Sequence, residues 1–429
     1  MTTGKDDREY KGQVENAINT SSSPSDLKIT DMRVAVVASN YDYPIIRIDT
    51  NQDVYGIGEV RDAGHKENAL QFKSMLLGKN PCNVDMIFRS IKRYGNWGRE
   101  GGGVSGIELA LWDLVGKVYG VPCYQFLGGK YRNRIRIYAD TPTPSEPTPE
   151  AYAERVLGRK KLGFNFIKFD VGTGVLRGYV DGGMVGRHSR GRGLGAHLTD
   201  KGIARFVEIA NAVREAAGWD INLAIDHFGP MTVNDSIRLG RALEPVCLSW
   251  MEDLLHWDDI EGYRRITENI NVPTLTGENI YLWDGFRDLI EARAVDIIHP
   301  DLLTSGGMLE TKKIADYAER YYMSTALHFA GSPIAFMANL HCAAAIPNFV
   351  ALENHAVDLP FWTDLVTGLD DPLMEDGYVK VPEKPGLGVD LNYEGIRENL
   401  RRPGLFEPTD EWNTPKLGFW RPKPGENWG

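Results

Sequence analysis

Three acids stand 26 residues apart: Asp226 closes the apolar run INLAID, Glu252 closes CLSWME and Glu278 closes NVPTLTGE. The rhythm continues, with Asp301 ending VDIIHPD, His328 ending YYMSTALH 27 residues later, and Glu353 ending NFVALE. Upstream, Lys168 and Asp170 end FNFIKFD. Carboxylates gathered at one place repel each other unless a cation lies between them. An all-oxygen set of hard ligands suits Mg²⁺, which keeps positions open for substrate oxygens. Asp226, Glu252 and Glu278 are therefore the candidate metal ligands. Such a centre fits removal of a proton from carbon beside a carboxylate, where the developing charge needs strong, preorganised positive charge. His328 is the candidate base, because a carboxylate one strand back, Asp301, can hold its imidazole in one tautomer and raise its basicity. Ordinary surface acids at strand ends would leave the equal spacing unexplained. A lone histidine there is more often a structural hydrogen-bonder, but here Asp301 stands in register with it and the metal set two strands away.

The elements that must position these residues are legible in the intervals. Each holds helix-like sequence, such as VNDSIRLGRALEP or DDIEGYRRITENI, followed by a short apolar strand. That is the rhythm of a (β/α) barrel, in which every strand delivers its last residue to one rim. Strand alternation puts Lys168 and Asp170 on the same inward face. Residues 1–26 are polar and aperiodic and read as a flexible tail. From Leu27, the stretches KITDMRVAVVA, PIIRIDT and VYGIGEV alternate as an antiparallel meander, and helical sequence including NVDMIFRSIKRY and GIELALWDLVGKVYG follows. The barrel is expected over 135–370, with RIRIYAD as its first strand. A segment at 371–429 is expected to return to the first domain and ends in an aromatic tail containing Trp412, Trp420 and Trp428.

Acids on three consecutive units, then Asp, His and Glu on the next three, resemble the enolase superfamily, most closely its mandelate racemase/muconate lactonizing enzyme-like group. The resemblance runs from about Leu27 to about Asn392, and within the group it is closest to the acid sugar dehydratases. It implies an α/β fold with a modified TIM-type barrel, (β/α)7β, and an α+β capping domain over 27–134. It also implies that Glu353 donates a hydrogen bond to an enediolate, which requires a protonated carboxyl. Family members often carry Lys-x-Lys where this chain reads Lys168-Phe169-Asp170. The place of a second base thus holds an acid, which weakens any racemisation needing bases on both faces. Lys168 could bind the substrate carboxylate; Asp170 could orient Lys168, bind hydroxyls or act on the leaving group. His227 follows Asp226 directly, whereas such dehydratases often place a His two residues after the ligand; a loop hydrogen-bonding role competes with an acid role. Arg99, His65, Tyr41 and Tyr43 lie in cap segments able to reach a substrate. The expected activity is Mg²⁺-dependent dehydration of a sugar acid to a 2-keto-3-deoxy acid. Its rivals are an epimerase, racemase or cycloisomerase, and a metal-binding barrel without turnover.

The usual short connection after Asp170 is replaced by about thirty Gly-rich, basic residues, inserted at 171–199 and carrying Arg177, Arg187, Arg190 and Arg192. They read either as a lid bringing guanidinium groups to a polyhydroxylated anion or as a surface or subunit-contact loop. With 48 basic and 59 acidic residues the net charge is −11, which argues against a nucleic-acid partner. No stretch is apolar enough to span a bilayer, and the N-terminal sequence lacks an apolar signal core. The four cysteines have no C-x-x-C spacing and read as reduced, mostly buried thiols of a cytoplasmic protein. The aromatic tail points to packing on this subunit or a neighbour, hence to a homo-oligomer.

Overall fold

The computed structural model describes residues 24–179, 182–186, 196–226, 229 and 231–414. An antiparallel sheet comes first, with β1 (Ile29–Val37), β2 (Tyr43–Thr50) and β3 (Tyr55–Glu59) in sequential order. The helix Gly102–Tyr119 packs across it, and Gly106 permits the close approach: a Cβ there would sit 2.1 Å from the Glu59 carbonyl oxygen. The expected apolar face of this helix (Ile107, Ala110, Leu111, Leu114, Val115) is buried. Its other side is covered as well, because Ser105 and Glu108 reach into the barrel.

The barrel strands are β4 (Arg134–Ala139) and β5 (Phe166–Asp170), then, after a small hairpin of β6 (Met184–Gly186) and β7 (Ala196–Leu198), β8 (Asn222–Asp226), β9 (Met251–Glu252), β10 (Thr274–Thr276), β11 (Ile297–Ile298), β12 (Ser324–Leu327) and β13 (Phe349–Asn354). These eight are parallel neighbours in that order, and pairing of β13 with β4 closes the ring. One main helix fills each gap: Pro149–Lys161, Asp200–Ala217, Val233–Leu243, Ile260–Thr267, Leu282–Glu291, Met308–Glu319 and Pro333–Ala345. The sequence marks several starts, since Thr148, Thr199, Thr232, Asp259 and Ser332 each accept a backbone N–H as N-caps. The result is the (β/α) barrel that the spacing predicts, in the (β/α)7β form and with the capping domain that the family resemblance implies.

Inside the ring, one apolar layer takes a side chain from each strand or its edge: Tyr138, Phe166, Ala224, Trp250, Leu275, Ile297, Ala326 and Ala351. Strand alternation puts the residue two positions later on the same inner face. There the chain carries Asp140, Lys168, Asp226, Glu252, Gly277, His299, His328 and Glu353, of which seven are polar. The apolar floor and the polar rim are thus two turns of one pleat.

The chain returns to the capping sheet after the barrel: Arg401 N donates to Val36 O at 2.9 Å, and Lys73 Nζ donates to Thr409 Oγ1 at 2.9 Å. Trp412 lies partly buried against the cap core; Trp420 and Trp428 lie outside the described residues. The insertion after β5 is not loop throughout: it contains a helix, Thr173–Tyr179, and the β6–β7 hairpin. Of the four proposed lid guanidinium groups, Arg187, Arg190 and Arg192 lie outside the described residues, as does the side chain of Arg177. Burial of the cysteines is less complete than expected: Cys123 and Cys342 are buried, Cys82 partly so, and Cys247 is exposed in a left-handed turn after a helix.

Candidate active site

Asp226 and Glu252 are the last residues of β8 and β9, Glu278 lies two past β10, Asp301 three past β11, His328 directly after β12, and Glu353 within β13. Short strands ending at one level deliver all six to the same end of the barrel. Lys168, almost fully buried, lies amid the acids. Its Nζ is 2.9 Å from Asp226 Oδ2, 3.3 Å from Glu252 Oε2 and 2.8 Å from Glu353 Oε1. Burial works against the lysine charge, but Asp226, Glu252 and Glu353 outweigh it and raise its pKa well above the usual value.

His328 forms the second focus. Its Nδ1 is 2.6 Å from Asp301 Oδ2, and its Nε2 is 2.6 Å from Glu278 Oε2 and 3.7 Å from Glu353 Oε2. Asp301 Oδ1 is fixed by Leu303 N at 2.7 Å, so the Asp301 carboxylate also caps the short helix Leu302–Ser305. Burial opposes the imidazolium, yet Glu278, Glu353 and Asp301 prevail and hold the His328 pKa well above the histidine range. Glu353 is raised by burial but lowered further by Lys168 and His328, to about 2. The protonated Glu353 expected from the sequence is thus not the form this arrangement favours: the ammonium 2.8 Å away keeps it ionised.

The three candidate ligands do not converge as a triad. Among the described residues no group of three or more His, Cys, Asp or Glu is arranged to hold a metal. Glu278 is turned to His328, while Asp226 and Glu252 share Lys168. The donor set nonetheless fits a hard cation. It is all oxygen, on three consecutive strand ends, and burial together with Asp226 pushes the Glu252 carboxyl well above the usual range. A divalent ion would relieve that repulsion and free Glu278 from the imidazole. Asp253, next to Glu252, has a φ of 49°, and its Oδ1 accepts from Thr276 Oγ1 at 2.7 Å, on the side of the strand away from the inner face.

Of the candidate substrate contacts, Asp170 ends β5 beside Asp140 and Asp226, and burial followed by those two acids holds its carboxyl well above the usual range. Arg99 lies in the cap, donating to Asp62 Oδ2 at 3.0 Å and stacking over Tyr41 at 5.4 Å. Tyr43 does not serve as expected. It is 1 % exposed at the start of β2, in the core, with its hydroxyl donated to Asn40 Oδ1, because the strand's inward alternation places it there. His227 and Arg187 lie outside the described residues.

Four more residues belong to the site: Asp140, which closes RIRIYAD as the other acids close their strands, and Tyr138, His299 and Arg61, which escape the strand-end pattern. His299 is fully buried, with Nε2 2.8 Å from the Tyr138 hydroxyl and Nδ1 3.0 Å from Glu252 Oε1; Tyr138 in turn donates to Glu353 Oε2 at 3.0 Å. Asp140 pairs with His355 Nε2 at 3.2 Å. Arg61, from the cap, lies 3.6 Å from Asp301 Oδ2. Counting two residues past each apolar inner position finds Asp140 and His299. No local signal marks Arg61.

Residues 151–395 match the family described as enolase C-terminal domain-like, and residues 19–128 match the mandelate racemase / muconate lactonizing enzyme, N-terminal domain. Similar proteins include the D-xylonate dehydratase of Haloferax volcanii, 36% identical over 400 residues that cover 92% of this chain and 94% of that protein. The D-galactonate dehydratase family member RspA of Cellvibrio japonicus is 29% identical over 384 residues, covering 85% of this chain and 93% of its own. Among solved structures, a mandelate racemase/muconate lactonizing enzyme-like protein from Rubrobacter xylanophilus superposes with a TM-score of 0.80 at 31% identity, covering 89% of this chain and 99% of that one.

Proposed function

From the premise that the chain belongs to the mandelate racemase/muconate lactonizing enzyme group of the enolase superfamily, and is a hydro-lyase of the sugar acid dehydratase kind, we propose that it converts a sugar acid to a 2-keto-3-deoxy acid with His328 as its base. The observation that carries this is the His328–Asp301 pair: a 2.6 Å contact at Nδ1 fixes the tautomer and aims Nε2 into the ring of acids.

Asp226, Glu252 and Glu278 would hold Mg²⁺, which when bound supplies Lewis-acid stabilisation of the charge that develops on the substrate carboxylate. Glu278 must first turn from His328, and the imidazolium must release its Nε2 proton to solvent, since the 2.6 Å contact covers and holds protonated the nitrogen that has to accept the α-proton. His328 Nε2 then takes the α-proton, and the C–H electron pair moves into an enediolate. Collapse of the enediolate breaks the β-carbon–oxygen bond, His328 returns its proton to the departing hydroxyl as water, and the enol product ketonises. Lys168, held charged amid Asp226, Glu252 and Glu353, orients the substrate carboxylate. One base serving both proton transfers suits a syn elimination. The acid at position 170, where a second base would stand, weighs against epimerisation and racemisation.

The test is incubation with Mg²⁺ and a library of mono- and diacid sugars, read as 2-keto-3-deoxy product, with His328→Asn alongside. Turnover of one stereochemical series, lost in the variant, is the expected result. Deuterium incorporation at the α-carbon without keto acid would instead mean an epimerase or cycloisomerase, and neither signal would mean a barrel that binds metal without turnover.

A further inference from the structure

The end of β3 is where the capping domain enters the barrel. Two alternate residues, Glu59 and Arg61, both fully buried, cross the boundary. Glu59 accepts from Ser332 N at 3.0 Å and from the Ser332 hydroxyl; Ser332 caps helix Pro333–Ala345 four residues after His328. Arg61 reaches the preceding units. Its Nη1 donates to the Glu278 carbonyl oxygen at 2.8 Å and to Thr304 Oγ1, and stands 3.6 Å from Asp301 Oδ2. Its Nε donates to Asp62 Oδ1 at 2.8 Å. Its Nη2, buried and with no hydrogen-bond partner among the described residues, lies 3.8 Å from Glu278 Oε2. Space for this side chain depends on Gly102, where a Cβ would fall 2.5 Å from the Arg61 Cβ.

We propose that Arg61 is a positioning residue for the base: a guanidinium from the capping domain that fixes the Asp301 carboxylate, making cap docking and alignment of His328 one event. Asp301 Oδ2 is shared between His328 Nδ1 and Arg61, while Oδ1 is taken by Leu303 N, so the carboxylate is held from three directions. Only a planar fork with several donors spans Asp62, Thr304, the Glu278 carbonyl and Asp301 together; an ammonium is a single point charge. The proposal rests on His328 and Asp301 acting as the dehydratase dyad.

The test is a double-mutant cycle of Arg61→Met and Asp301→Asn, with Arg61→Lys as the conservative variant. Arg61→Met is expected to lower kcat roughly 10–100-fold with KM little changed. Combined with Asp301→Asn it should add almost nothing, because both act through one carboxylate, and Arg61→Lys should recover part of the loss. Losses that multiply, or a change confined to KM, would overturn it. Should Arg61→Met fail to fold, Arg61→Lys carries the cycle. The ¹⁵N and ¹H resonances of His328 Nδ1, read in wild type and variant without substrate, separate this proposal from the dehydratase assignment. A shifted Nδ1 signal supports it even if no sugar acid is turned over, and an unmoved one refutes it even if turnover is found.

Discussion

The rim has two halves that answer one electrostatic problem differently. From β13 round through β4 to β9 the barrel supplies its own balance: Lys168 of β5 sits among Asp226, Glu252 and Glu353, all placed by strand alternation within one domain. From β10 through β12 the charges are Glu278, Asp301 and His328, and the fixed cation among them is Arg61 of the cap. The first half is a property of the barrel; the second exists only once two domains have docked. The halves also differ in what they can do with a proton. One presents an imidazole tied to a carboxylate, whereas at the matching place on the other face Asp170 stands where a second base would be needed.

The largest expected effect lies in the His328 half. His328→Asn should cut kcat about 10²–10⁴-fold, the usual contribution of a positioned general base, with the fold intact by circular dichroism. Retention of most activity would move the base to the other half and erase the distinction. In the Lys168 half the corresponding effect is on stability and cation dependence. Lys168→Met leaves buried carboxylates without their ammonium, a loss of about 3–5 kcal/mol in the absence of divalent cation. Mg²⁺ should then raise the melting temperature of the variant more than that of wild type, because cation and ammonium compensate the same acids. Equal gains in the two proteins would show that Lys168 and the cation answer to different groups.

The contrast also explains what could be read in the chain. Asp226, Glu252, Asp301, His328 and Glu353 were legible because each ends an apolar run of fixed period, and period is a local property. The cap helix Gly102–Tyr119 was legible for the same reason. Asp140, at the end of RIRIYAD, and His299 obey the same alternation, but the apolar layer from which to count both appears only when eight strands are aligned. Arg61 has no such signature: its role comes from residues more than two hundred positions away, Glu278, Asp301 and Thr304. Tyr43 failed in the opposite sense. A cap tyrosine beside a turn reads as a ligand contact, yet strand alternation turns its ring into the core. The orientation of Glu278 toward His328 was equally hidden, because side-chain direction beyond a strand end depends on which charges compete for it.

His299 links the two halves of the rim, with Glu252 on one side and His328 on the other, and gives a pH test. Burial, then His328 and Lys168, lower its pKa from 6.5 to about 3. A histidine depressed on folding contributes stability that is complete above the unfolded value and is lost as pH falls through the interval between the two. The unfolded chain takes up a proton below 6.5 that the folded one refuses. Between pH 6.5 and 5 wild type should therefore lose about 2 kcal/mol more than His299→Gln, measured by urea unfolding without divalent cation. Parallel pH profiles would mean that His299 takes up a proton in the fold as readily as in the unfolded chain, and a wild type that gained on the variant as pH fell would place it with the compensating cations.

The smallest expected effect is the one that most sharpens the asymmetry. Burial, Asp140 and Asp226 hold the Asp170 carboxyl well above the usual range and favour its protonated form. A protonated carboxyl donates and accepts hydrogen bonds but takes no proton, so asparagine reproduces most of what it offers. Asp170→Asn should change kcat no more than about threefold, under 1 kcal/mol, while the chemically similar exchange at His328 costs orders of magnitude. If instead Asp170→Asn matched His328→Asn, Asp170 would be ionised in the working enzyme and acting on a proton. The two faces of the substrate would then both be served, and epimerisation or anti elimination would return as the chemistry to explain.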